Sequence, residues 1–296
     1  MKNIISAVLL SFVCMTAHAI TTLKILFAFT RTAAAGFAPI GLGTAVSGEI
    51  GLFNNALTNS KINSSVAVAA AGYITIGSEY SIDQAGVDQA TQDLYIAINR
   101  DASGADVVVV VGGYPPALPP PWPTGSTRCG WAQDIKPAPE KAFAVVAWTC
   151  FANNMAARHE VGHLLGLRHQ ATGGIFPDST LTPYANGHGF QMDFKSPTVG
   201  DSYCFYDLMA NPMSSCASAP NYVPSRQNYY SAVAVTAHDT NGQGAVNGGS
   251  ADWPYYADAA TVLLASLPVV ANNHLTKTSP PMISRIVAII WAAITQ

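Results

Sequence analysis

Apolar and polar positions along the chain follow two periods in turn. Leu23 to Thr30 (LKILFAFT) and Ser65 to Ile76 read as strands, with the helical spacing of Thr44 to Leu57 between them. Asp88 to Ile98 predicts another helix. Asp106 to Val111 is a continuous β-branched run, the mark of a strand covered on both faces of a mostly parallel sheet. Pro115 to Pro123 (PPALPPPWP) predicts an exposed loop by its proline content. Gly130 to Ile135 and Ala142 to Trp148 predict two further strands, the last leading into a helix with Met155, Ala156, Ala157, Val161, Leu164 and Leu165 as its apolar contacts. Asn153 or Asn154 is the expected cap of that helix. Asp258 to Val270 has apolar residues at helical spacing and predicts the terminal helix of the domain. Met282 to Thr295 is almost wholly apolar but too short to cross a membrane. It is read as packing against the domain, with an interface to a partner or membrane surface as the alternative.

The helix after Asn154 contains the chain's most informative run, HEVGHLLGLRH over His159 to His169. Positions four apart share one helix face, so the imidazoles of His159 and His163 can grip one metal ion from consecutive turns. Glu160 is set beside the metal but free to hold and deprotonate a water. Gly166 can take the positive φ that ends a helix, and the reversed chain can carry His169 back to the same ion. Three neutral imidazoles and a water make the open, catalytic form of zinc coordination. The short H-E-x-x-H pattern also arises by chance, whereas the glycine and third histidine at fixed offsets do not fit that bland reading.

H-E-x-x-H-x-x-G-x-x-H is the signature of the metzincin zinc endopeptidases, and the chain resembles that clan. Their second hallmark is a methionine in a tight turn beneath the metal, and Tyr206-Asp207-Leu208-Met209-Ala210 looks like that turn, with Met209 supporting the site without touching substrate. The stretch Pro183 to Phe190 (PYANGHGF) followed by the D-L-M-A element is similar to the secreted bacterial, reprolysin-like branch, which includes peptidyl-Asp endopeptidases. The resemblance implies a mixed, mostly parallel twisted sheet with an active-site helix, of α/β (α+β) class, and a smaller irregular C-terminal lobe. It also implies that an edge strand near Cys129 to Ile135 lines the cleft and pairs with extended substrate, and that Asn211 to Ser231 lines the pocket beyond the scissile bond. Many relatives carry a tyrosine two residues after the turn methionine; Asn211 stands there, so tyrosine assistance from that position is not expected.

Met1 to Ala19 reads as a secretory signal peptide: a lysine near the start, an apolar run over Ile4 to Val13 and an Ala17-His18-Ala19 cleavage site. The catalytic domain is then expected over 20–275, with lobes 20–166 and 167–275, ahead of the apolar segment 276–296. The first core strand starts close to the expected cut, which leaves no room for a propeptide or cysteine switch. Export leaves Cys129, Cys150, Cys204 and Cys216 in an oxidising compartment, secreted or periplasmic, where two disulfides are favoured over reduced, buried thiols. Of the three possible pairings, Cys129 with Cys150 and Cys204 with Cys216 is preferred, because the second bridge closes a short loop around Met209. A net charge of −3 with 10% charged residues offers no basic patch, so nucleic acid is not an expected partner. Asp239 to Gly242 lacks the later acidic ligands of a calcium loop and reads as an ordinary turn. His188, His238 and His274 have no ligand spacing, and surface or satisfied-core roles are expected for them.

These readings combine into a secreted, monomeric, zinc-dependent endopeptidase acting on protein or peptide, with one Zn2+ held by His159, His163 and His169 and with Glu160 as general base. Two other classes compete: a noncatalytic protein that uses its zinc or cleft to bind, and a zinc hydrolase of a nonprotein amide such as a cell-wall bond. An unligated carboxylate at Glu160 argues against the first; only substrate testing separates the second.

Overall fold

A computed structural model describes residues 21–113, 128–151, 155–170, 184, 187–189, 191–195, 202–210, 223–226, 228–231, 235–238, 244–247 and 258–272. The leader 1–19, the proline-rich segment 115–123, Asn153, Asn154, Asn211, Cys216, the turn at 239–242, His274 and the apolar segment 282–295 lie outside the described residues, as do the side chains of Cys204 and His238.

The first strand, β1 (Thr21–Phe29), pairs in parallel with β2 (Ser64–Thr75) on one side and β3 (Val107–Gly112) on the other. Beyond β3 lies β5 (Phe143–Ala147), also parallel, and the short β4 (Gly130–Ala132) runs antiparallel along its outer edge. This is the mixed, mostly parallel sheet that the family resemblance implies. The five valines Val107 to Val111 are all 0% exposed, as a strand covered on both faces requires. Burying each is worth about 1.5–3 kcal/mol relative to exposure.

Helices α1 (Arg31–Gly36) and α2 (Leu42–Asn59) connect β1 to β2. The single helix predicted over Asp88–Ile98 is two, α3 (Gln84–Gln92) and α4 (Leu94–Ser103). Asp93 separates them: its φ of −68° and ψ of 112° leave the helical region, and its carboxylate accepts a hydrogen bond from the Ile96 amide at 3.1 Å. It therefore ends one helix and caps the next. Apolar spacing runs through such a corner without a break. The strand predicted over Gly130–Ile135 is also shorter than expected and ends at Ala132, before Lys136 turns the chain with φ 54°.

The active-region helix, α5 (Ala156–Leu164), starts at Met155 in the left-handed conformation (φ 58°), with no side-chain cap. Its lead-in is fixed from below. Phe151 makes edge-to-face contacts with Phe27, Phe29 and Phe37 at centroid distances of 5.5, 5.8 and 5.7 Å. A disulfide joins Cys129, at the start of β4, to Cys150, just ahead of α5, as preferred from the sequence. Past α5 the chain is more regular than predicted. A three-stranded sheet of β6 (Gln191–Lys195), β7 (Ser202–Tyr206) and β8 (Val223–Arg226) is followed by the ribbon of β9 (Val235–His238) and β10 (Gly244–Asn247). These strands are four or five residues long, too short for alternation to be read. The helix predicted over Asp258–Val270 is α6 (Ala259–Val270), with Asp258 as its cap. Among the described residues no helix is long and apolar enough to cross a membrane.

One ion pair is sealed between α2 and α5. Arg158 Nε lies 3.4 Å from Glu49 Oε1, and both side chains are 1% exposed. Burial pushes the Glu49 carboxyl up to about 8, with Arg158 pulling in the opposite direction. A folded-state value above the ordinary 4.5 means that the native protein holds the proton more tightly than the unfolded chain does. The stability this group contributes is complete below pH 4.5 and is lost as pH rises through about 8. The difference in unfolding free energy between wild type and Glu49→Gln, followed by denaturant titration across that range, should therefore shift against wild type as pH rises. A flat or opposite difference contradicts this account of the pair.

Candidate metal centre

All nine residues of α5 are buried, including His159, Glu160 and His163. The helix ends where Gly166, at φ 99°, turns the chain. The Leu167 amide donates to Gly162 O at 2.9 Å and the Gly166 amide to His163 O at 2.8 Å, the paired bonds of a Schellman end. The reversed segment brings His169 back beneath the helix, as the spacing predicts. The Nε2 atoms of His159, His163 and His169 then lie 3.1, 3.1 and 3.2 Å apart, in one group that could hold a metal ion.

The protons on two of these rings follow from their partners. His159 Nδ1 faces Leu208 O at 2.6 Å and His163 Nδ1 faces Leu167 O at 2.8 Å. A carbonyl oxygen only accepts, so both Nδ1 atoms donate, and each Nε2 presents a lone pair. Two lone pairs 3.1 Å apart repel unless a cation lies between them. Three imidazole nitrogens around one tetrahedral ion at about 2.0–2.1 Å would stand about 3.3 Å apart, close to the separations observed. The residues fit a metal ion.

The Met209 turn lies directly below. Asp207 Oδ1 accepts from the amides of Met209 and Ala210, both at 2.9 Å, which fixes the turn and aims Leu208 O at His159. Met209 is wholly buried with its sulfur against Gly162, at a spot that any side chain on residue 162 would occupy. Tyr230 Oη donates to Arg158 O at 3.0 Å and so holds the backbone one residue before the first histidine.

Glu160 points to the edge strand. A Cβ built on Gly130 would lie 2.6 Å from Glu160 Cγ and Oε1, so this carboxylate occupies space that only a glycine leaves open. The Gln133 amide donates to Phe143 O and the Ala147 amide to Cys129 O, which places alternate residues of β4 in register with β5. The backbone groups of Gly130 and Ala132 consequently face away from the sheet. Side chains anchor the strand to α3: Trp131 Nε1 donates to Gln84 Oε1 at 3.0 Å, and Gln133 Nε2 to Asp88 Oδ1 at 2.8 Å.

His188, for which a surface or satisfied-core role was expected, lies in the core against the third histidine. It is 1% exposed, its Nδ1 lies 2.9 Å from the backbone oxygen of His169, and its Nε2 has no hydrogen-bond partner among the described residues. Its position in the PYANGHGF stretch was visible, but no ligand spacing marked it. Gly130, Glu49 and Arg158 were also unmarked, because each matters only through what it packs against. Cys204 lies in β7 opposite Asp193; its pairing falls outside the described residues.

Residues 53–170 match the family described as Metallo-peptidase family M12B Reprolysin-like, a stretch that runs from α2 to the residue after the third histidine. A peptidyl-Asp metalloendopeptidase of Stenotrophomonas maltophilia is 32% identical over 118 residues, 39% of this chain and 24% of the relative. One from Xanthomonas campestris pv. campestris is 33% identical over 106 residues, 35% of this chain and 22% of the relative. The matched part thus spans about a quarter of these curated relatives. A solved structure described as "Structure of a chaperone-substrate complex" shares the fold, with a TM-score of 0.56, 18% identity and coverage of 86% of this chain and 39% of that one.

A site built this way stabilises the folded chain when filled. A divalent ion such as Zn2+ at about 100 times its Kd should add about 2.7 kcal/mol of stability, read as a rise in the thermal unfolding midpoint. His169→Ala should lose most of that rise. An equal rise in the variant contradicts the three-histidine site.

Proposed function

We propose that this protein is an exported, zinc-dependent endopeptidase, with His159, His163 and His169 as the metal ligands and Glu160 as general base. The observation that carries the reading is the convergence of three imidazole nitrogens, two of them from the same helix as a Glu160 carboxylate lodged against an edge strand. The family match over 53–170, and the names of the relatives, support peptide-bond hydrolysis. When bound, zinc supplies a Lewis acid that polarises the scissile carbonyl and makes a water acidic enough to attack near neutral pH.

The chain's own residues do the rest. Glu160 takes the proton of the attacking water on a carboxylate oxygen as the water oxygen bonds to the carbonyl carbon. It then delivers that proton to the leaving nitrogen as the C–N bond breaks. Substrate in extended form adds to the open edge of β4, hydrogen-bonding the outward backbone groups of Gly130 and Ala132. Met209 fixes the floor and takes no part in proton transfer. We place the catalytic unit at 20–275, with the cleft between lobes 20–166 and 167–275. Export follows the leader-like composition of 1–19, and the Cys129–Cys150 disulfide supports an oxidising compartment.

Hydrolysis of a denatured protein, followed with wild type, chelator-treated protein and variants, tests this. Glu160→Ala should retain zinc and lose activity by about 10²–10⁴-fold. Gly130→Val should also retain zinc, since the nearest atoms its side chain meets are those of Glu160, and slow cleavage by about 10²-fold or more. Undiminished cleavage by Glu160→Ala would sink the mechanism. Zinc-loaded wild type that cleaves nothing would favour a binding protein.

A further inference from the structure

We infer that His188 is a positioning residue for the third metal ligand: its Nδ1–H fixes the backbone of His169 and so sets where that imidazole enters the site. The inference rests on the proposed ligand role of His169.

His159 and His163 are placed by a helix, but His169 lies in a non-helical segment past Gly166, where a backbone needs other anchors. Those anchors come from residues 187–189. The Arg168 amide donates to Gly187 O at 2.7 Å and the Gly189 amide to Arg168 O at 2.9 Å, a short parallel bridge just before the ligand. His188 adds the contact to the ligand itself, at 2.9 Å from His169 O. That oxygen only accepts, so Nδ1 carries the proton and the tautomer is set.

His188 is in turn held from outside the site. Ser231 Oγ donates to His188 O at 2.8 Å and accepts from the Ala259 amide, in the first turn of α6, at 3.1 Å. The Ser231 backbone oxygen accepts from Ala260 at 2.9 Å. A continuous path therefore runs from α6 through Ser231 and His188 to the third ligand. The buried Nε2 of His188 without a hydrogen-bond partner among the described residues shows which nitrogen matters. A side chain chosen for packing alone would not leave a polar atom in that state. The imidazole is justified by the one bond its other nitrogen makes.

Asparagine and glutamine separate the two nitrogens. The amide nitrogen of asparagine falls near the Nδ1 position, and that of glutamine near Nε2. The test is metal binding to the full chain: Zn2+ affinity by competition with a chromophoric chelator, together with the visible absorption of the Co2+-loaded protein. Near-UV circular dichroism of the metal-free protein gives the folded fraction. His188→Asn should bind within a few-fold of wild type and keep its cobalt spectrum. His188→Gln and His188→Leu should bind about 10–100-fold more weakly per folded molecule, with shifted cobalt bands. A merely structural role would lower metal-free stability and leave the affinity of the folded fraction unchanged. Equal affinities for His188→Asn and His188→Gln, or a His188→Asn that no longer folds, would overturn the inference. Failure of the underlying reading looks different: wild type would then bind Zn2+ no better than His169→Ala.

Discussion

The structure depends on holding three imidazole nitrogens against one another. The Nε2 atoms of His159, His163 and His169 stand 3.1–3.2 Å apart, an arrangement that is unfavourable without a shared cation. It persists because backbone carbonyls outside the helix fix two of the rings. Leu167 O, presented by the turn at Gly166, holds His163, and Leu208 O, presented by the Met209 turn, holds His159. One chain reversal thus delivers the third ligand and orients the second. Such outer partners set tautomer and direction, and in metal sites they matter nearly as much as the ligands.

Rigidity of α5 is what lets those carbonyls work. A nine-residue helix has little stability of its own, so packing must fix it. Phe151 wedges its lead-in among three aromatic rings, the Cys129–Cys150 bridge ties it to the edge strand, and Glu49 meets Arg158 from α2. Two glycines then set the close approaches: Gly162 admits the Met209 sulfur, and Gly130 admits the Glu160 carboxylate. Metal site, floor and edge strand meet at positions where a methyl group would not fit.

Local signals in the sequence were enough for the sheet and for the three histidines that converge. A run of five valines reads as a strand covered on both faces, and histidines four apart on a helix with a glycine three residues on fit a third histidine returning to the same group. What stayed hidden was non-local. Asp93 breaks a helix without interrupting its apolar spacing, Met155 starts α5 without a polar cap, and His188 acts on a residue nineteen positions earlier. Glu49 and Arg158 lie on separate helices, and no spacing rule connects them. The short strands after α5 lack the length that would make alternation visible.

The family match covers α5 and its three histidines, while the Met209 turn and His188 lie beyond it. The most direct test of the proposed centre is X-ray absorption at the zinc edge of the zinc-loaded full chain. The account predicts three imidazole nitrogens and one oxygen at about 2.0–2.1 Å. A sulfur shell at about 2.3 Å, or fewer than three imidazoles in the fit, would contradict it.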